Sequence, residues 1–123
     1  MIILDLNHVA LHVQDVAVSC RFYGEVLNLP TMDRPAFDFL GAWFRLGPVQ
    51  QLHLIGEREA DVHNHPQGTH FALRVASVPE AAAELQQKNV AFMGPQQRPD
   101  GKWQLFIQDP DGYVIELTEL PAE

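Results

Sequence analysis

The side chains of this chain best suited to chemistry are histidines and carboxylates, and four of them stand in related settings. His8 lies in Leu6-Asn7-His8-Val9-Ala10-Leu11-His12-Val13, and His70 lies in Gly68-Thr69-His70-Phe71-Ala72-Leu73-Arg74-Val75. The two stretches share His, Ala, Leu and Val at the same offsets, 62 residues apart in a chain of 123. The same 62-residue step from His53, in Leu52-His53-Leu54, lands one residue short of Glu116, in Ile115-Glu116-Leu117. Each is a polar residue bracketed by large aliphatics on what should be a packed strand, so its side chain must leave the apolar face. Four converging polar side chains need a partner, because burying them unpaired is costly. A divalent metal satisfies them: imidazoles with a carboxylate suit Zn, Fe, Ni, Mn or Co. His8, His70 and Glu116 alone make a two-histidine, one-carboxylate set that leaves coordination positions open to substrate, and His53 is the weakest of the four. His12 and Arg74 share a repeat offset, four residues after each histidine and on the same strand face. They are candidate pocket residues, with Arg74 able to anchor a substrate anion.

The elements that must position these residues follow from periodicity. Residues 7–13 alternate Val9, Leu11, Val13 with His8, Ala10, His12, a half-buried strand. Asp15 is an N-cap for a helix from Val16 to Leu27, with Val18, Phe22 and Val26 on one face, ended by Asn28 and Pro30. Phe37–Leu40, Trp43–Leu46 and Gln50–Ile55 then read as a meander of strands punctuated by Gly41 and Gly47-Pro48. The second half repeats the order. Thr69–Val75 is a strand, and Ser77 caps a helix containing Pro79 in its first turn and ending at Asn89. Val90–Met93, Trp103–Gln108 and Tyr113–Leu120 are strands, with Asp109-Pro110-Asp111-Gly112 as a hairpin turn. Two copies of β-α-β-β-β are too few for a solenoid and indicate a pseudo-symmetric pair of curved sheets. The fold class is therefore α+β in a single domain over 1–123. Module 1 covers about 5–56, a polar connector 57–67, and module 2 about 68–120.

The bulk properties narrow the function. The net charge is −8, from 16 acidic and 8 basic residues, and the basic ones are scattered, which argues against nucleic acid and anionic membrane as partners. No apolar run approaches a membrane span. The single cysteine, Cys20, cannot form an internal disulfide, so a reducing cytoplasm is the expected location. Cys20 reads as a small buried hydrophobe. His63 and His65 read as connector residues. No Gly-x-Ser-x-Gly element and no phosphate-cradling glycine loop is present.

These same residues resemble the vicinal oxygen chelate superfamily, which includes glyoxalase I, methylmalonyl-CoA epimerase, extradiol dioxygenases, fosfomycin-resistance transferases and bleomycin-resistance proteins. His8-Val-Ala-Leu with Phe22-Tyr23 and Val26-Leu27 is similar to the family's opening strand and helix. Gly68-Thr-His70-Phe-Ala-Leu opens the second module, and Asp109-Pro-Asp-Gly-Tyr-Val-Ile-Glu116-Leu resembles the closing signature. The match spans roughly residues 5–119. It implies paired βαβββ modules, helices outside, whose mixed sheets form a cup around one divalent metal ion per site, held by His8, His53, His70 and Glu116. The modules would pair within one chain or across a homodimer. It further implies a small-molecule substrate with vicinal oxygens, and a glyoxalase-like lyase or isomerase that transfers a proton, with His53 or Glu116 as base and Arg74 and His12 touching substrate. An Fe(II)-dependent extradiol-type dioxygenase and a non-catalytic drug-binding resistance protein are the alternatives.

The chain departs from each branch somewhere. Glyoxalase I and the epimerase carry a carboxylate or glutamine where this chain has His53, and glyoxalase I often has arginine where it has His12. The strand Trp103–Gln108 lacks the tyrosine usual in extradiol dioxygenases. Ala10 and the acidic tail Thr118-Glu-Leu-Pro-Ala-Glu depart from the fosfomycin transferases. Retention of all four positions argues against pure sequestration.

Overall fold

Strand β1 (His8–His12) begins where the alternation of Val9, Leu11 and Val13 begins, and it lies parallel to β4 (Gln50–Ile55). The computed structural model describes residues 1–120, so the end of the acidic tail lies outside the described residues. The chain divides into two compact units, Met1–Ala60 and Asp61–Glu123.

In the first unit, β4 pairs antiparallel with β3 (Gly41–Leu46), and β3 with the two-residue β2 (Thr31–Met32). The sheet order is β1-β4-β3-β2, open and mixed. Leu11, Phe44, Leu52 and Leu54 share one face and are buried, together with Tyr23 from the helical segment. Each such side chain contributes about 1.5–3 kcal/mol by leaving water. Asp15 caps α1 (Val16–Arg21) as expected, its carboxylate accepting from the Ala17 and Val18 amides at 3.0 and 3.3 Å. The helix does not run on as α to Leu27. It widens into a π-helical turn over Phe22–Val26, closed by the Leu27 amide on the Phe22 carbonyl at 3.2 Å. Gly24 weakens the α preference at that point, and the wide turn leaves Tyr23 fully buried, edge-on to Phe22 and tilted against Phe44. Asn28 ends the segment at φ 56.

The expected strand at Phe37–Leu40 does not form; β2 is the short Thr31–Met32 pair instead. The reason is local. The Arg34 guanidinium lies 5.0 Å from the Phe37 ring and 4.8 Å from the Phe39 ring, and its Nη2 donates to the Phe39 carbonyl at 2.7 Å. Phe37 and Phe39 stack on each other at 5.0 Å, which gathers the segment around the arginine rather than into the sheet.

The second unit repeats the order with its own sheet, β5-β8-β7-β6. Strand β5 (Phe71–Arg74) is parallel to β8 (Val114–Thr118), which pairs antiparallel with β7 (Trp103–Gln108), and β7 with β6 (Met93–Gln97). Helix α2 (Val78–Gln87) is capped by Ser77, whose Oγ accepts from the Glu80 amide at 3.2 Å, and it buries Val78, Ala82 and Leu85. Asn89 ends it at φ 58. The Asp109 turn is built as expected: its Oδ1 accepts from the Asp111 and Tyr113 amides, both at 2.9 Å, and Gly112 takes φ 91. Strand β6 begins at Met93, where the expected strand ended. The Val90 amide is still occupied by the Leu85 carbonyl at 2.9 Å, and the ladder shifts register between Met93 and Gln96. Gly94, at φ 98, and Pro95, which has no amide hydrogen, occupy that shift.

Candidate functional site

Register decides which side chains share a face, and it makes the repeat exact in kind at the candidate positions. In the first sheet His53 stands opposite Ala10 on one side and Trp43 on the other. In the second, Glu116 stands opposite Ala72 and Phe106. His53 and Glu116 are therefore equivalent, and the extra residue lies between the first and third strands of the second unit. His12 and Arg74 are equivalent too, opposite Ile55 and Thr118.

In the first unit, His8, His12, His53, Gln51 and Trp43 occupy the face opposite Leu11, Leu52, Leu54 and Phe44. The half-buried His53 ring is stacked between Trp43, 3.9 Å away and 2° from parallel, and His8, 4.1 Å away and 18° from parallel. Its Nε2 is 2.8 Å from the Gln51 side-chain oxygen. An amide oxygen only accepts, so Nε2 carries the proton and Nδ1 presents its lone pair. His8 Nδ1 is 2.8 Å from the Asn7 side-chain oxygen, which by the same logic leaves His8 Nε2 bare. Burial, and then the positive charges that His8 and Arg34 can carry, push the His53 pKa down, so its ring is neutral at neutral pH. His12 is exposed at the far end of β1, with Nε2 2.9 Å from the Gly56 carbonyl.

In the second unit the histidine's partner is a carboxylate. Glu116 is buried, 9% exposed, and its Oε1 is 3.2 Å from His70 Nε2. His70 Nδ1 is 3.0 Å from the Gly68 carbonyl, an acceptor only, so Nδ1 holds a proton. A neutral His70 then turns a bare Nε2 toward a carboxylate oxygen, and two lone pairs face each other. The contact is favourable only with a second proton on the ring or a cation between the two groups. Phe106 meets the His70 ring edge-on at 5.6 Å. The other carboxylate oxygen, Oε2, is 3.9 Å from Arg98 Nη1. Arg98 is held by Asp100 through two hydrogen bonds, Nε to Oδ1 at 3.1 Å and Nη2 to Oδ2. That grip and the Lys102 amide bring the Asp100 carboxyl down to about 2. Arg74 is exposed on the Glu116 face of its sheet.

The four candidate ligands thus come as two pairs, one in each unit. Among the described residues no group of three or more His, Cys, Asp or Glu is gathered to hold an ion. The His70–Glu116 pair fits a metal. Two donors each about 2.0–2.2 Å from one ion, at tetrahedral or octahedral angles, lie about 3.0–3.4 Å apart, and these lie 3.2 Å apart. The Gly68 carbonyl supplies the backbone tie that metal-ligating histidines carry on the remote nitrogen. His8 fits through its bare Nε2. His53 fits through Nδ1 as it stands, or through Nε2 if the metal replaces Gln51. Among other candidates, burial pushes the Cys20 thiol up, against a reactive thiolate, and His65 Nδ1 accepts from the Gln67 amide within its own loop.

Three residues absent from the sequence-level candidates matter here: Gln51, Arg98 and, as a stacking partner, Trp43. Gln51 had a readable signal, since it shares strand parity with His53. Arg98 had none, because its approach to Glu116 depends on the shifted β6 ladder.

Residues 5–117 match the model of the Glyoxalase/Bleomycin resistance protein/Dioxygenase superfamily. The chain belongs to this superfamily. Within it, the chain is 32% identical to a lactoylglutathione lyase of Escherichia coli O157:H7, over 93% of this chain and 91% of that one. It is 28% identical to Glyoxylase I 4 of Arabidopsis thaliana, over 91% of this chain and 68% of that one. Among superfamily members of known structure, a glyoxalase family protein from Bacillus anthracis superposes with a TM-score of 0.83 at 25% identity, covering 98% of both chains. A glyoxalase/dioxygenase from Nostoc punctiforme gives 0.78 at 27%, covering 96% of this chain and 92% of that one.

Proposed function

We propose that the chain is a divalent-metal-dependent enzyme that isomerises a small substrate bearing two adjacent oxygens, by glyoxalase-like proton transfer. The observation that carries this reading is the His70–Glu116 pair, whose lone pairs converge at metal-ligand spacing while Gly68 holds the remote nitrogen. His70 Nε2, Glu116 Oε1 and His8 Nε2 would hold the ion, with His53 the fourth ligand or the base. When bound, the metal would polarise the substrate oxygens and stabilise the negative charge that develops on them.

The chain's own residues supply the rest. Trp43 and Gln51 fix the plane and the proton of His53 so that Nδ1 is the basic atom. In a hemithioacetal, the proton leaves the carbon bearing sulfur, the electron pair shifts toward the neighbouring carbonyl, a proton returns to that carbonyl carbon, and the hydroxyl proton passes from the first oxygen to the second, giving a 2-hydroxy thioester with no atom gained or lost. A neutral imidazole suits both halves of this shuttle. Arg74 and His12 are the candidate contacts to the substrate's far end. The likeness to lactoylglutathione lyases at about one-third identity favours this chemistry over ring cleavage. The reading includes a homodimer working in a reducing cytoplasm.

The test is reconstitution. Metal-free protein without a His tag is loaded singly with Zn, Ni, Co, Mn or Fe(II) and assayed for thioester formation from methylglyoxal hemithioacetals of both neutral and anionic thiols. At least one metal should bind near one equivalent per site and support turnover. Binding below about a tenth of an equivalent for every metal would sink the reading.

A further inference from the structure

Next to Phe106 the second unit opens into a groove of about 940 Å³, within the roughly 300–1,000 Å³ of small-molecule sites. Its apolar wall is Val90, Phe92, Met93 and Phe106, and its polar groups include the amides of Gln104 and Gln108. The groove belongs to the reacting face. Phe106 pairs with Glu116 across β7 and β8 and touches His70, and Gln104 and Gln108 flank it on the same side of β7.

The charges around this groove are one-sided. No lysine or arginine lines it. The lining acid, Asp109, is buried, and its Oδ1 accepts from two backbone amides, which hold it in place. His65, which also lines the groove, accepts an amide hydrogen on Nδ1, an arrangement of the neutral ring. Arg98, beside Glu116, is already bound by Asp100. An anionic ligand seated here would lose its hydration and meet no cation among the lining residues, because Arg74, on the same face, stands on β5 at the opposite edge of the sheet. The amides of Gln104 and Gln108 make no hydrogen bond among the described residues, and they donate and accept equally well.

We infer that this groove takes an uncharged ligand joining an apolar body to amide or hydroxyl groups, so that the substrate is a neutral adduct rather than a glutathione conjugate. The inference rests on the reading of the His70–Glu116 face as the reacting site. It adds what that reading leaves open, the chemical class of the group carried beside the reacting carbons.

A matched pair of probes tests it on the full chain: S-hexylglutathione, which carries two carboxylates, and S-hexyl-N-acetylcysteamine, which keeps the thioether, tail and an amide without net charge. Calorimetry and amide NMR should show the neutral probe binding about tenfold or more tightly, a difference of about 1.4 kcal/mol, with the largest shifts at Gln104, Phe106 and Gln108. Gln104→Arg, and separately Gln108→Arg, should improve S-hexylglutathione binding about tenfold and weaken the neutral probe, which loses an amide partner, so that the preference narrows or inverts. Equal or tighter binding of S-hexylglutathione to the native chain overturns the inference, as does failure of both probes to bind, or shifts that fall outside β7. Absence of isomerase activity with every thiol, while the neutral probe still binds at β7, refutes the proposed function alone.

Discussion

His53 and Glu116 occupy the same place in two sheets of the same topology, yet their surroundings are of opposite kinds. His53 sits in a stack of rings, neutral, with its proton fixed by an uncharged amide. Glu116 sits buried between an imidazole and a guanidinium, an anion with a cationic or potentially cationic partner on each oxygen. A duplicated scaffold has kept the position and changed the chemistry. The difference assigns roles: the carboxylate brings the charge that attracts a cation, and the stacked imidazole brings a base that stays neutral. Exchanging the two should therefore be unequal in effect.

The largest expected effect is Glu116→Gln. Removing the carboxylate's charge from the pair should lower metal affinity by more than the tenfold to hundredfold typical of losing an outer partner, and turnover with it. His53→Gln should cost turnover by about 10²-fold or more, in line with loss of a general base, while metal affinity falls by less than it does in Glu116→Gln. Metal titration followed by an assay of the loaded protein separates the two. If His53→Gln abolishes metal binding as completely as Glu116→Gln, His53 is a ligand first, and the division of roles fails.

Much of this contrast can be read along the chain, and the missing parts share a cause. Asp15, Asn28, Ser77, Asn89 and the Asp109 turn act through hydrogen bonds or backbone angles within a few residues of themselves, so their roles follow from local sequence. The alternation around His8 and the bracketing of His53 and Glu116 give their faces, since side chains alternate along a strand. Phe37–Leu40 has the composition of a strand but yields to Arg34, whose cation–ring contacts are set by loop geometry that no periodicity encodes. The π-helical turn at Phe22–Val26 differs from α by one hydrogen-bond step, and it is settled by where Tyr23 must reach. The Trp43–His53–His8 stack and the Arg98–Glu116 approach join residues on different strands, and cross-strand partners depend on register, which one sequence does not state.

A smaller effect probes the hydrogen bond that fixes the His53 proton. Gln51→Leu keeps the bulk beside His53 but removes the oxygen that fixes its proton. The ring is then free to exchange tautomers, and kcat should fall about tenfold to a hundredfold, the range for partners that orient a functional histidine. KM and metal affinity should change little. In the second unit Phe106→Leu, at the place equivalent to Trp43, alters an edge contact to His70 and one wall of the groove, so it should act on KM and move kcat by less. Steady-state kinetics on the two variants, each loaded with the same metal, measures the contrast. Equal losses in kcat would mean that the Gln51–His53 hydrogen bond has no special part in proton transfer.

The smallest effect concerns stability in the metal-free protein. The folded His53 titrates below its ordinary value near 6.5, chiefly because burial disfavours the charged ring and then because His8 and Arg34 add positive charge nearby. Between the two values the unfolded chain binds more protons than the folded one, so stability rises with pH across this window. The contribution is intact above about pH 6.5 and is lost as pH falls through the lower, folded value. His53→Gln removes that term, so urea unfolding on either side of the window should show a smaller acid-side loss in the variant than in the native protein.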